Sequence, residues 1–150
     1  MLPRLAGETR FIGRRSGGGC RHDQRVRHER HYTVEEANDV LGWIGDRLEA
    51  MRDAHARLTD EEAREALSGG APSNGGGRPG RQVGEAFVEL QAGLGALSAR
   101  EIILRDLERG LIDFPAVRDG EEVYLCWIDG EPEVAFWHEL DAGYAGRQPL

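Results

Sequence analysis

The stretch LIDFPAVRDGEEVYLCWIDG, from Leu111 to Gly130, decides the fold. It holds two short runs rich in apolar and β-branched residues, Ile112 to Val117 and Val123 to Ile128, separated by Asp119-Gly120 and closed by Asp129-Gly130; a third run, Val134 to His138, follows. Asp-Gly is a dipeptide that two-residue type I′ hairpins prefer, because both central residues need a positive φ. Tight turns at both corners fix the pairing: Asp113 stands opposite Cys126, and Cys126 opposite Glu133. One face then carries Ile112, Phe114, Ala116, Val123, Leu125, Trp127, Val134 and Phe136 and should cover helices. The other carries Asp113, Cys126 and Glu133 in a row flanked by Tyr124 and Trp137, while His138 ends the last strand on the helix-facing side. A longer loop at Asp129-Gly130 would slip the second register and take Glu133 off the row.

Upstream of these strands the pattern is helical. Thr33-Val34-Glu35-Glu36 fits a capping box, in which the Thr33 hydroxyl and the Glu36 carboxylate each accept from the other residue's amide. From Ala37 the positions Leu41, Ile44, Leu48, Met51, His55 and Leu58 form one stripe, widened by Val40 and Trp43, about 30 Å long at the helical rise and in need of a partner. Val83, Phe87, Leu90, Leu94 and Leu97 repeat the four-three spacing and supply it. Gly84, Gly93 and Gly95 weaken this second helix or let the two approach closely. Between them, residues 68–80 are rich in glycine and proline and read as a flexible connection. The expected fold is therefore α+β, an antiparallel helix pair packed on a three- or four-stranded antiparallel meander, with Ile102 to Leu104 as its first strand.

Charge divides the 150-residue chain unevenly. Overall it carries 19 basic and 27 acidic residues, a net of −8, and every basic residue is arginine. Without lysine there is no Schiff base and no Walker-type phosphate lysine. Residues 1–31 hold eight arginines against three acids, so the remainder carries a net of −13. The arm reads as disordered, lacks the apolar stretch of a secretory signal, and hangs from an acidic body that opposes nucleic-acid binding; an upstream start-codon misassignment would also explain it. The longest apolar run, six residues from Val123 to Ile128, is far below the ~20 of a membrane-spanning helix. Cys20 and Cys126, distant and unpaired in spacing, suit a reducing cytoplasm rather than a disulfide scaffold.

Neighbouring strands lie about 4.8 Å apart, so Asp113, Cys126 and Glu133 could hold a divalent metal, with His138 as a further ligand. Tyr124, Trp137 and Arg147 are candidates for contact with a ligand, Arg147 as the partner of an anion or of a nearby acid. As a nucleophile Cys126 is poorly placed, since flanking carboxylates raise a thiol's pKa.

The ordered set Tyr32-Thr33-Val34-Glu35-Glu36-Ala37-Asn38, Gly110-Leu111-Ile112-Asp113-Phe114-Pro115, Asp119-Gly120, Leu125-Cys126-Trp127, Gly130-Glu131, Trp137-His138 and Gly143-Tyr144-Ala145-Gly146-Arg147 resembles a family of small bacterial proteins, domain of unknown function 2203. The resemblance covers about residues 32–150 and implies a bacterial cytoplasmic setting, but no activity, cofactor or catalytic residue. From the residues themselves the first expectation is a non-enzymatic binding or interaction module, a homodimer through its helix faces with Trp43 exposed. The second is a metal-binding protein or metal-assisted hydrolase using Asp113, Cys126, Glu133 and His138.

Overall fold

The computed structural model describes residues 26–60 and 78–150. The basic arm expected over residues 1–31 thus falls outside the described residues up to position 25, as does the glycine-rich connection up to position 77. Residues 78–80, expected within that connection, already belong to a helix.

Thr33 caps the first helix, α1 (Val34–Asp39), through the reciprocal box: Glu36 N–H donates to Thr33 Oγ1 at 3.1 Å and Thr33 N–H to Glu36 Oε2 at 2.9 Å. The single helix expected from there is broken once, at Val40 (φ −99°, ψ −2°), and resumes as α2 (Leu41–Thr59). Ile44, Leu48, Met51 and Ala54 form the buried stripe of α2. Against it lies α3 (Arg78–Ser98), whose buried positions are Ala86, Gly93 and Leu97, with Val83 and Leu90 half-buried beside them. Phe87 and Leu94, expected in that stripe, are exposed instead. Their place is taken by small residues: a β-carbon on Gly93 would lie 2.4 Å from Met51 Cγ, so Met51 seats directly on the α3 backbone. Trp43 is half-buried beneath the guanidinium groups of Arg47 and Arg100, at 5.3 and 4.4 Å from its ring centre.

The chain then forms an antiparallel meander in sequence order, β1 (Ile103–Asp106), β2 (Leu111–Arg118), β3 (Glu121–Ile128), β4 (Phe136–Glu139) and β5 (Gln148–Pro149). The α+β architecture is as the sequence implies, with five strands rather than three or four. The first hairpin has the expected register throughout, from Leu111 opposite Ile128 to Arg118 opposite Glu121. Asp119 (φ 53°) and Gly120 (φ 82°) both take the left-handed conformation that a type I′ turn requires.

The second corner is a correction. Asp129 is not among the residues of positive φ, and only Gly130 is (φ 101°). Asp129 is held instead by Arg52, at 2.7 Å, and by its own amide on the Gly110 carbonyl at 3.1 Å. Glu131 then caps the end of β3: its carboxylate accepts from Ile128 N–H and its carbonyl from the Trp127 indole, both at 2.9 Å. Pro132 has no amide proton with which to pair, and Val134 N–H is bound 2.8 Å from Asn38 Oδ1 near the end of α1. The chain therefore leaves the sheet until Phe136. Cys126 faces Phe136, Leu125 faces Trp137 and Tyr124 faces His138.

This offset of three residues, being odd, exchanges the two faces of β4. Trp137 now belongs to the helix side, packed at the edge of a core made by Ile44, Leu48, Met51, Leu97, Phe114 and Leu125. His138 joins Asp113 and Cys126 on the far side. Glu133 is an exposed loop residue and has left the row.

Gly110 (φ 65°) joins helix and sheet at close quarters: a β-carbon there would stand 2.4 Å from Asp129 Cβ and 2.7 Å from Arg52 Nη2. Gly120 has the same backbone requirement but nothing within 4 Å. Gly110→Ala should therefore cost about 3 kcal/mol in urea unfolding, as left-handed strain plus overpacking, and Gly120→Ala only about 1 kcal/mol. Equal losses would contradict this packing.

Candidate metal centre

Three strands each deliver one donor to the far face of the sheet. Asp113 sits on β2 opposite Cys126 on β3, and His138 comes from β4 beside Tyr124. A carboxylate oxygen, the thiol sulfur and a ring nitrogen all lie within 4.8 Å of one another. The residues are 2%, 0% and 1% exposed.

Donor rules fix the protons. His138 Nδ1 is 2.7 Å from the Glu139 carbonyl, which can only accept, so Nδ1 carries a hydrogen. Nε2 faces Asp113 Oδ1 at 3.1 Å, and two lone pairs would repel at that distance, so one proton is shared between ring and carboxylate. The other Asp113 oxygen, Oδ2, accepts from Arg105 Nε at 2.8 Å. Arg105 reaches it because the β1–β2 pairing shifts between Leu104 and Asp106, leaving Arg105 as the extra residue of a bulge, a device that re-aims a side chain. Burial first, and then the negative charge of Asp113, push the Cys126 thiol up to about 12 against the opposing pull of Arg147. An unaided thiolate nucleophile is thereby disfavoured.

Of the sequence candidates, Asp113, Cys126 and His138 come together and Glu133 does not. His138, expected on the helix side, is on the far side because of the β3–β4 offset. Tyr124, Trp137 and Arg147 do not share a surface. Tyr124 is buried with its ring 5.5 Å from that of His138, whereas Trp137 lies on the opposite face beneath Arg118. Arg147 packs over Phe136, and its Nη2 is 2.8 Å from both Glu131 oxygens, so its partner is an acid of this chain. An open cleft of about 920 Å³ lies elsewhere, at the β2–β3 turn, and includes none of the three clustered donors.

What the sequence reading missed is the strap that covers this face. Tyr32 N–H bonds the Pro115 carbonyl at 2.7 Å, on the edge of β2 beyond its pairing with Ile103, the first residue of β1. Residues 26–31 then run along the far face. Glu122 Oε2 accepts from Arg27 N–H, and Glu122 Oε1 lies 2.9 Å from both His28 N–H and His31 Nε2. His28 Nε2 meets the Tyr124 hydroxyl at 2.7 Å, and Arg105 stacks on the Tyr124 ring. The pair His28 and His31, three apart just before the capping box, was the available signal.

Comparison with known proteins gives one result: residues 30–150 match the family model described as Uncharacterized conserved protein (DUF2203). The chain belongs to this family. No curated protein and no solved structure matches it.

Burial works against charge on Glu122, but hydrogen bonds from Arg27, His31 and His28 outweigh it and hold the carboxyl below its usual value. A carboxyl depressed in the folded state stabilises above its unfolded pKa, and that contribution is lost as pH falls through the folded value. The strap should thus be firm at neutral pH and loosen in acid. Amide exchange should show Arg27 and His28 losing protection by about tenfold or more in Glu122→Ala at pH 7, in line with loss of hydrogen bonds to a charged group. Unchanged protection would contradict the assignment.

Proposed function

We propose that this member of the DUF2203 family is a non-enzymatic binding module whose ligand is a single divalent transition-metal ion, held by Asp113, Cys126 and His138. The observation that carries the reading is the convergence of three different donors from three adjacent strands, with the second nitrogen of the histidine already committed to a backbone carbonyl. Metal-bound histidines almost always donate their other ring N–H in this way, which fixes the tautomer and leaves Nε2 for the ion. The ion would take the place of the proton shared with Asp113 and of the thiol proton.

Donor chemistry selects the metal class. One thiolate, one imidazole and one carboxylate suit zinc and its neighbours, with a fourth tetrahedral position left for water. Calcium and magnesium need more oxygen ligands than Asp113 can offer, since Arg105 occupies its Oδ2. Binding is favoured over metal-assisted hydrolysis because all three donors are buried, whereas a catalytic metal needs an open position that a substrate can reach.

Elemental analysis of protein purified without a histidine tag should give near-stoichiometric zinc. That zinc should be lost on Cys126→Ala or His138→Gln and kept on Glu133→Ala. Calorimetry of zinc addition to chelator-treated protein, run in buffers of different ionisation heat, should register about two protons released per ion, from the thiol and the shared site. Absence of metal together with stability indifferent to chelator would overturn the proposal.

A further inference from the structure

Resting on the metal-binding reading, we infer that the strap of residues 26–31 is a latch on the metal centre, and that His28 is its closing contact. Tyr124 stands between strap and donors: its ring packs on the His138 ring, and the same ring carries the Arg105 guanidinium, whose Nε bonds Asp113. The Tyr124 hydroxyl meets the strap at His28, whose Nε2 is 2.7 Å away. With His28 in place, Tyr124 is 5% exposed and the three donors beneath are fully enclosed. An ion bound there has no path to solvent through this side until that contact opens.

Apart from the His28 ring, which packs edge-on against the Tyr124 ring at 5.5 Å, the strap is held by hydrogen bonds and ion pairs near the surface, which suits a reversible closure. Glu122 holds Arg27, His28 and His31 from one side. Glu101 holds it from the other, with Oε2 3.1 Å from Arg30 N–H and 3.7 Å from His28 Nδ1. Glu101 has φ 55° because it closes the C-terminus of α3, with its own amide on the Ser98 carbonyl at 2.9 Å and that of Ile102 on the Leu97 carbonyl at 3.0 Å, so its side chain leaves from a fixed helix end. The cleft of about 920 Å³ flanks the strap at Val26, Arg27 and His31, so the space beside these residues is open rather than filled by the packed core.

The test is the rate of metal uptake by full-length, chelator-treated protein, followed by the visible absorption of Co²⁺ as a tetrahedral thiolate site forms. His28→Ala should take up and release Co²⁺ at least tenfold faster than the unaltered chain, with the same stoichiometry of one. Glu101→Gln, which weakens the hold on His28 without touching Tyr124, should accelerate both rates by a smaller factor. Uptake by His28→Ala within twofold of the unaltered chain overturns the latch and leaves the metal centre standing. No Co²⁺ bound by the unaltered chain overturns both.

Discussion

A carboxylate in the middle of a sheet, 2% exposed, is the constraint around which one side of this molecule is organised. Removing an ionised group from water costs several kcal/mol unless charged or hydrogen-bonding partners meet it, and Asp113 is met on both oxygens. Each partner demands a departure from regular structure. Arg105 arrives by a bulge in β1, and His138 arrives only because β4 pairs three residues later than a tight hairpin would allow. Both partners then pack against Tyr124, whose hydroxyl is answered by the strap.

The two faces of the sheet therefore do different work. The helix side is an apolar interior in which Met51 seats on Gly93 and Tyr32 stacks edge-on against Phe114 at 5.2 Å. The far side is a polar interior, enclosed by a backbone segment rather than by helices. A buried charged network of this kind is weak evidence for stability, since well-packed apolar residues often serve as well. On the proposed reading, three metal-compatible donors with a preset histidine tautomer would give it a role that stability does not. None of the described helices is long and apolar enough to cross a membrane.

Much of the fold was legible because local rules and tertiary structure agree there. The capping box at Thr33, the stripe of Ile44, Leu48 and Met51, and the Asp119-Gly120 turn each depend on neighbours within a few residues. The second turn failed for an identifiable reason. Asp129-Gly130 has the same letters as the first turn, but Arg52 and the Gly110 carbonyl, distant in sequence, claim Asp129, while Asn38 claims the amide of Val134. An odd offset then moved Glu133 out of the candidate site and His138 into it. Arg105 was invisible because a bulge leaves no mark in a four-residue strand. The four-three spacing of large apolar residues puts Phe87 and Leu94 in the helix seam, whereas the close approach at Gly93 gives that position to smaller residues.

The central claim, that one ion is shared by a carboxylate, a thiolate and an imidazole on three adjacent strands, is tested most directly by X-ray absorption of the zinc-loaded protein. The account predicts one sulfur at about 2.3 Å and three nitrogen or oxygen ligands at about 2.0–2.1 Å, with the scattering signature of a single imidazole. A first shell of oxygen and nitrogen without sulfur, or one containing two or more imidazoles, would contradict it.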